Sequence, residues 1–193
     1  MSRDGRLEVK ASAKVSSHEF FMQSLIFIGY RGTGKTTVAR QLAKRLGISM
    51  IDSDAEIERL AGKSIAEIFA QEGESAFRES EESVIAEILA RPGPWVLATG
   101  GGAILRSRTR ERLRQNGRVL WLTATPETIL HRITNDSASK TMRPGLTTLP
   151  LHEEIAVVLE QRNPLYAATA HETISTDFRT AEEIVEMILL RPE

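Results

Sequence analysis

From Ser24 onward, short apolar runs alternate with longer stretches of helical period, the pattern of strands joined by crossover helices in a parallel sheet. Leu25-Ile26-Phe27-Ile28 is apolar at every position and stops at Gly29, as a strand buried on both faces does, which predicts a central place for it. Val38, Leu42 and Leu46 then recur at helical spacing beside Ala39 and Ala43, and Gly47 supplies a stop. Ser49-Met50-Ile51 predicts a second strand ending at Asp52, followed by a helix containing Ile57 and Leu60. Ser64 with Glu67 fits the capping box that opens a helix, which Gly73 should end. Phe77, Val84 and Ile88 with Ile85 and Leu89 predict a further helix over Ser75 to Ala90, before the break at Pro92-Gly93-Pro94.

Trp95-Val96-Leu97-Ala98 is the third strand and runs into Thr99-Gly100-Gly101-Gly102. A polar helix over Arg106 to Gln115 leads to the fourth strand, Arg118 to Leu122, and Thr125-Pro126 opens another helix with proline at a tolerated first position. From about Asn135 to Pro150 no period survives, which in a compact domain points to a functional or disordered loop. Helix returns from His152 to about Gln161, Glu172 to Thr176 is the last strand, and Ala181 to Leu190 is a closing amphipathic helix.

Composition adds boundaries to this α/β pattern. The 193 residues are 41% apolar and 26% charged, an ordinary globular balance that makes one domain the default over 24–193. Residues 1–23 mix Ser with both charge signs and read as a flexible extension, with a short helix compatible near His18 to Met22 and no secretory pattern. A net charge of -1 offers no whole-chain field for a nucleic acid or an anionic membrane, and no window approaches the roughly 18 apolar residues of a spanning helix. The chain has no cysteine, which excludes disulfides, thiolate metal sites and a cysteine nucleophile and suits a reducing cytoplasm. His18, His131, His152 and His171 lack metal-ligand company and read as surface or boundary residues.

Gly29-Tyr30-Arg31-Gly32-Thr33-Gly34-Lys35-Thr36 matches the phosphate-binding pattern G-x-x-x-x-G-K-[ST] at every fixed position, between a buried strand and a helix. Such a loop turns successive N–H groups into one concavity and adds the positive end of the helix. Lys35 would meet the β- and γ-phosphates of a triphosphate and Thr36 would ligate Mg²⁺. No guanine-reading N/T-K-x-D element and no L-S-G-G signature accompany it. Asp52 and Asp54 fall at a strand end, where an open parallel sheet meets its ligands. One could hold the metal and the other accept a hydroxyl proton, or the group could simply cap the next helix. Arg78 could pair with Glu74 or Glu82, Arg143 and Arg162 could be solvated, and the triple glycine could be a turn or a place where backbone lies against a ligand.

Taken in order, the phosphate loop, Asp52-Ser53-Asp54, Ile57-Glu58, Gly62-x-Ser64-Ile65-x-Glu67-Ile68-Phe69, Gly73-Glu74-x-x-Phe77-Arg78-x-x-Glu81, Ala98-Thr99-Gly100-Gly101-Gly102, Arg143-Pro144 and Arg162-x-Pro164-Leu165-Tyr166 resemble the shikimate kinases over about Leu25 to Leu190. The resemblance implies a P-loop kinase: a three-layer αβα sandwich on a five-stranded parallel sheet of order 2-3-1-4-5. It implies transfer of the γ-phosphate of ATP to the 3-hydroxyl of shikimate, in aromatic amino acid biosynthesis, by a cytoplasmic monomer using Mg²⁺. Gly32, Thr33, Gly34, Lys35, Thr36, Thr37, Arg132 and Arg143 would bind ATP, with Arg132 against the adenine. Asp54, Arg78, Gly100, Gly101, Gly102 and Arg162 would bind shikimate, the arginines gripping its carboxylate. Asp54, Lys35 and Arg143 would be catalytic, with Asp54 as base and Arg143 in a mobile lid over about 135–150, and Thr36 and Asp52 would hold the metal.

Two features depart from the family pattern. The lid reads Arg143-Pro144-Gly145-Leu146 where relatives commonly have Arg-Pro-Leu-Leu, and the leading segment is longer than usual. A gluconate-kinase-like enzyme, whose acceptor is also a carboxylate-bearing polyol, and a non-catalytic ligand-sensing domain are the alternative readings.

Overall fold

Strands β1 (Leu25–Ile28), β2 (Ser49–Asp52), β3 (Trp95–Ala98), β4 (Arg118–Thr123) and β5 (Glu172–Ser175) pair in parallel in the order β2-β3-β1-β4-β5. The computed structural model describes residues 23–135 and 149–191. β1 is central, as its unbroken apolar run requires. Its alternate side chains serve opposite faces, Ile26 and Ile28 entering one hydrophobic cluster and Leu25 and Phe27 the other, all four fully buried. Each such side chain removed from water is worth about 1.5–3 kcal/mol.

The second face is covered by α1 (Lys35–Leu46) and α7 (Ala181–Leu189), which bring Val38, Leu42, Ile184 and Ile188 onto it. The first face is covered by α2 (Ser53–Ala61), α3 (Ile65–Leu89), α4 (Ser107–Asn116) and α6 (Leu151–Thr169), through Ile57, Phe77, Ile85, Leu113 and Tyr166. With α5 (Pro126–Asn135), helix α6 also builds a small third cluster of Tyr30, Ile129, Ile133, Ile155 and Val158 beside the loop after β1. The result is the expected three-layer αβα sandwich.

Several local expectations take their predicted form. Gly47 ends α1 in the left-handed region at φ 68, and Ser64 with Glu67 forms a full capping box. Gly73, at φ 84 and ψ 174, ends the helical stretch that Ser64 opens, and a second stretch follows directly after this one-residue kink within α3. A 3-10 turn, Ala103–Leu105, follows the triple glycine.

The helix expected to stop near Gln161 runs through Pro164 to Thr169. Proline removes one N–H and crowds the preceding turn, but tertiary contacts outweigh that cost. Tyr166 is fully buried and stacks on Trp121 at 5.6 Å, and Arg114 Nη1 donates to the carbonyls of Ala168, Thr169 and Ala170 at 3.0–3.2 Å. The helix that would open at His18, the lid stretch with Arg143, Pro144 and Gly145, and the 1–23 extension up to residue 22 lie outside the described residues.

Candidate active site

All five strands point their C-terminal ends at one edge, where an open parallel sheet forms its ligand crevice. The loop after β1 curls through Gly29, Gly32 and Gly34 at φ 140, 79 and 88. At Gly29 a Cβ would also lie 2.4 Å from the Leu122 carbonyl oxygen, so no larger residue fits. Lys35, only 8% exposed, lies back over the loop and donates from Nζ to the Tyr30 carbonyl at 2.9 Å. The same carbonyl accepts from the Thr33 hydroxyl at 2.8 Å. Thr37 is exposed in the first turn of α1.

Asp52 caps the following helix, one of the alternatives that its sequence position left open, and also meets Thr36. Its Oδ1 caps α2 by accepting from the N–H groups of Asp54 and Ala55 at 3.0 and 3.4 Å, while its Oδ2 accepts from the Thr36 hydroxyl at 2.9 Å. Asp54 stands in the first turn of α2. Between them Ser53 is fully buried, and its hydroxyl accepts from the Gly100 N–H at 2.9 Å. This ties the start of α2 to the triple glycine.

Arg78 reaches the same turn from α3. The residue is 7% exposed, and its guanidinium donates to Glu81 at 2.6 Å and to Glu74 at 3.3 Å and lies 5.0 Å from the centre of the Phe77 ring. The expected alternative partner, Glu82, instead faces Arg106 at 3.2 Å. Both positions lie on the face of α3 that Arg78 shares, and it is the approach of Arg106 from outside the helix that engages Glu82 while Arg78 takes Glu81 and Glu74. A Cβ on Gly102 would sit 2.3 Å from Arg78 Nη1, so this glycine makes room for the guanidinium. Arg162 comes from α6 and donates to the Gly101 carbonyl at 3.2 Å, and the Tyr166 hydroxyl donates to the same oxygen at 2.5 Å.

Arg132 on α5 donates to the Gly32 carbonyl at 3.2 Å and to the Thr176 hydroxyl and carbonyl at 2.9 and 2.8 Å. It therefore joins the phosphate loop to the end of β5.

Arg31 and Glu154 carry no role in the sequence reading, Ser53 enters it only as a candidate helix cap and Tyr166 only as part of a motif. Arg31 occupies a free position of the loop pattern and donates from Nη2 to Glu154 at 2.6 Å. Tyr30 also donates to Glu154, at 3.4 Å, and burial pushes the Tyr30 phenol up, against the opposing pull of Arg31. The signal for Glu154 was a carboxylate beside Ile155 on the buried side of a helix, which only the packing distinguishes from a surface acid. His171 fits its reading as a boundary residue, its Nδ1 accepting from the Val119 N–H at 2.9 Å.

The arrangement can hold polyphosphate at the β1 loop and an anionic acceptor near Arg78 and Arg162, with a carboxylate between strand end and helix start. A family model described as shikimate kinase matches residues 31–191. A shikimate kinase from Rhodopirellula baltica is 41% identical over 175 residues, covering 91% of this chain and 93% of that one. The solved shikimate kinase from Acinetobacter baumannii in complex with shikimate superposes with a TM-score of 0.81 at 39% identity, covering 90% of this chain and 95% of that one. A gluconokinase from Sinorhizobium meliloti, at 18% identity and a TM-score of 0.52 over 88% of this chain and 91% of that one, shares the fold alone.

Proposed function

The chain belongs to the shikimate kinase family, and on that premise we propose how its own residues carry the reaction. The enzyme transfers the γ-phosphate of ATP to the 3-hydroxyl of shikimate, giving shikimate 3-phosphate and ADP. The observation that carries the reading is the convergence of Lys35, Thr36, Asp52, Asp54, the Gly100–Gly102 turn, Arg78 and Arg162 on one edge of the sheet, in a chain so similar to shikimate kinases.

Phosphoryl transfer asks for alignment and neutralisation of charge more than for covalent help. Lys35 leaves the Tyr30 carbonyl for the β- and γ-phosphates, and the loop N–H groups of Gly32 to Thr37 cradle them. Arg132 supports the nucleotide side through its hold on Gly32. Arg78 and Arg162 bind the shikimate carboxylate, for which forked guanidinium groups are suited. Asp54 takes the proton of the 3-hydroxyl as its oxygen bonds to the γ-phosphorus and the bond from phosphorus to the ADP oxygen breaks. Arg143 adds positive charge to the phosphates, a role that rests on the family resemblance alone.

Mg²⁺ belongs to the same proposal. The Thr36 hydroxyl and Asp52 carboxylate, 2.9 Å apart, are oxygen donors of the kind Mg²⁺ takes when phosphate and water complete its shell. When bound there, the ion would neutralise charge on the β- and γ-phosphate oxygens. A monomeric, cytoplasmic enzyme acting on small molecules, without nucleic acid or membrane partners, completes the reading.

ADP release from the purified protein with Mg-ATP, with and without shikimate, tests it. Shikimate-dependent release that falls at least about a hundredfold in Asp54→Asn is expected. Release independent of shikimate, or driven better by gluconate, would overturn the acceptor, and full activity of Asp54→Asn would overturn the base.

A further inference from the structure

Arg31 and Glu154 form a largely buried ion pair between the phosphate loop and the first turn of α6. The Arg31 side chain is 20% exposed and that of Glu154 2%, with 2.6 Å between Nη2 and Oε1. Burying such a pair costs desolvation, and an apolar pair of similar volume is commonly as stable or more so. What the pair does supply is one fixed geometry, reinforced by the Tyr30 hydroxyl on the same carboxylate.

The geometry continues along the helix. Eight residues after Glu154, a rise of about 12 Å, α6 presents Arg162, and Arg162 and Tyr166 both donate to the Gly101 carbonyl. Gly101 in turn lies against the phosphate loop, a Cβ there falling 3.4 Å from both Arg31 N and the Gly29 carbonyl oxygen. Loop, Arg31, Glu154, α6, Arg162 and Gly101 thus close a ring of contacts.

We propose that Glu154 is a positioning residue that, through Arg31, locks α6 to the phosphate loop and so sets Arg162 relative to the bound nucleotide. The inference rests on the kinase reading above for where the acceptor sits. Its consequence is that breaking the pair costs the acceptor, which depends on where Arg162 stands, more than the nucleotide.

The test compares the parent with Glu154→Gln, Arg31→Met, Arg31→Lys and the double variant Arg31→Met/Glu154→Leu, each checked for folding by its Tm. Amide hydrogen exchange across 154–166 is followed with and without a non-hydrolysable ATP analogue, and KM is measured for both substrates. In the parent the analogue should slow exchange across α6. Glu154→Gln and Arg31→Met should lose that protection and raise the shikimate KM about tenfold, with the ATP KM within about twofold, and the double variant should be no worse than the single ones, since the pair acts as a unit. Arg31→Lys, which keeps the charge, should recover part of both effects.

Parent-like protection and KM values in folded single variants would overturn the proposal. So would single effects that simply add in the double variant, or a loss of Tm with unchanged kinetics. If the parent releases no ADP with shikimate, the acceptor reading falls, while the exchange comparison still decides the role of the pair.

Discussion

At Gly102 a single missing Cβ decides where a positive charge can sit. The backbone there is ordinary, at φ -100, so alanine would be tolerated by the chain itself. Its methyl, however, would lie 2.3 Å from Arg78 Nη1 and 2.5 Å from Cζ, and Glu81 and Glu74 hold that guanidinium in place. Gly102→Ala should therefore push Arg78 aside, raising the shikimate KM about tenfold, a loss of roughly 1.4 kcal/mol, with the ATP KM nearly unchanged and the Tm lowered, because Arg78 is displaced from the buried Glu81. Steady-state kinetics in both substrates check it, and an equal rise in both KM values would contradict it. The three glycines were readable as a place of close approach. That the approach is made by Arg78 at Gly102 and by the phosphate loop at Gly101 was not, because both partners are distant in sequence.

Among the elements, helix ends show how one side chain can serve two purposes. Asp52 satisfies the first amides of α2 and also accepts from Thr36, because a carboxylate has two oxygens and the end of β2 faces the start of α1. α2 is further held by Glu56, whose carboxyl is lowered to about 2, first because Arg59 donates to it and then because Arg91 does. Since the folded value lies below the unfolded one near 4.5, the contribution is fully present above that value and is lost as pH falls toward 2. Both arginines are well exposed, which keeps the effect small. Urea midpoints at about pH 6 and about pH 3 should therefore fall less between the two conditions in Glu56→Gln than in the parent. An equal fall in both would remove Glu56 from the acid sensitivity of the fold.

Across the whole molecule, side chains bridge strand ends that the sheet order sets apart. Arg132 spans from the loop after β1 to Thr176 after β5, with β4 lying between the two strands. Arg132→Ala should cost about 1–3 kcal/mol in urea unfolding, the usual worth of hydrogen bonds from a charged group, and should raise the ATP KM while leaving that for shikimate nearly unchanged. A purely acceptor-side defect would contradict its place on the nucleotide side.

Local pattern was enough for the strands, the helix caps and the phosphate loop, because each depends on neighbours within a few residues: an apolar run, a Ser64 with Glu67 three positions on, glycines at fixed spacing before Lys35. The resemblance then supplied the sheet order and a list of site residues. Tertiary structure alone decided the remainder. Pro164 ends a helix by local rules, yet α6 passes through it because Tyr166 is buried against Trp121 and Arg114 holds the helix end. Arg31 and Glu154 stand 123 positions apart, and nothing near either one marks it as paired. Residues close in sequence reveal one another through periodicity and capping, whereas partners brought together by crossover connections meet only once the sheet has formed.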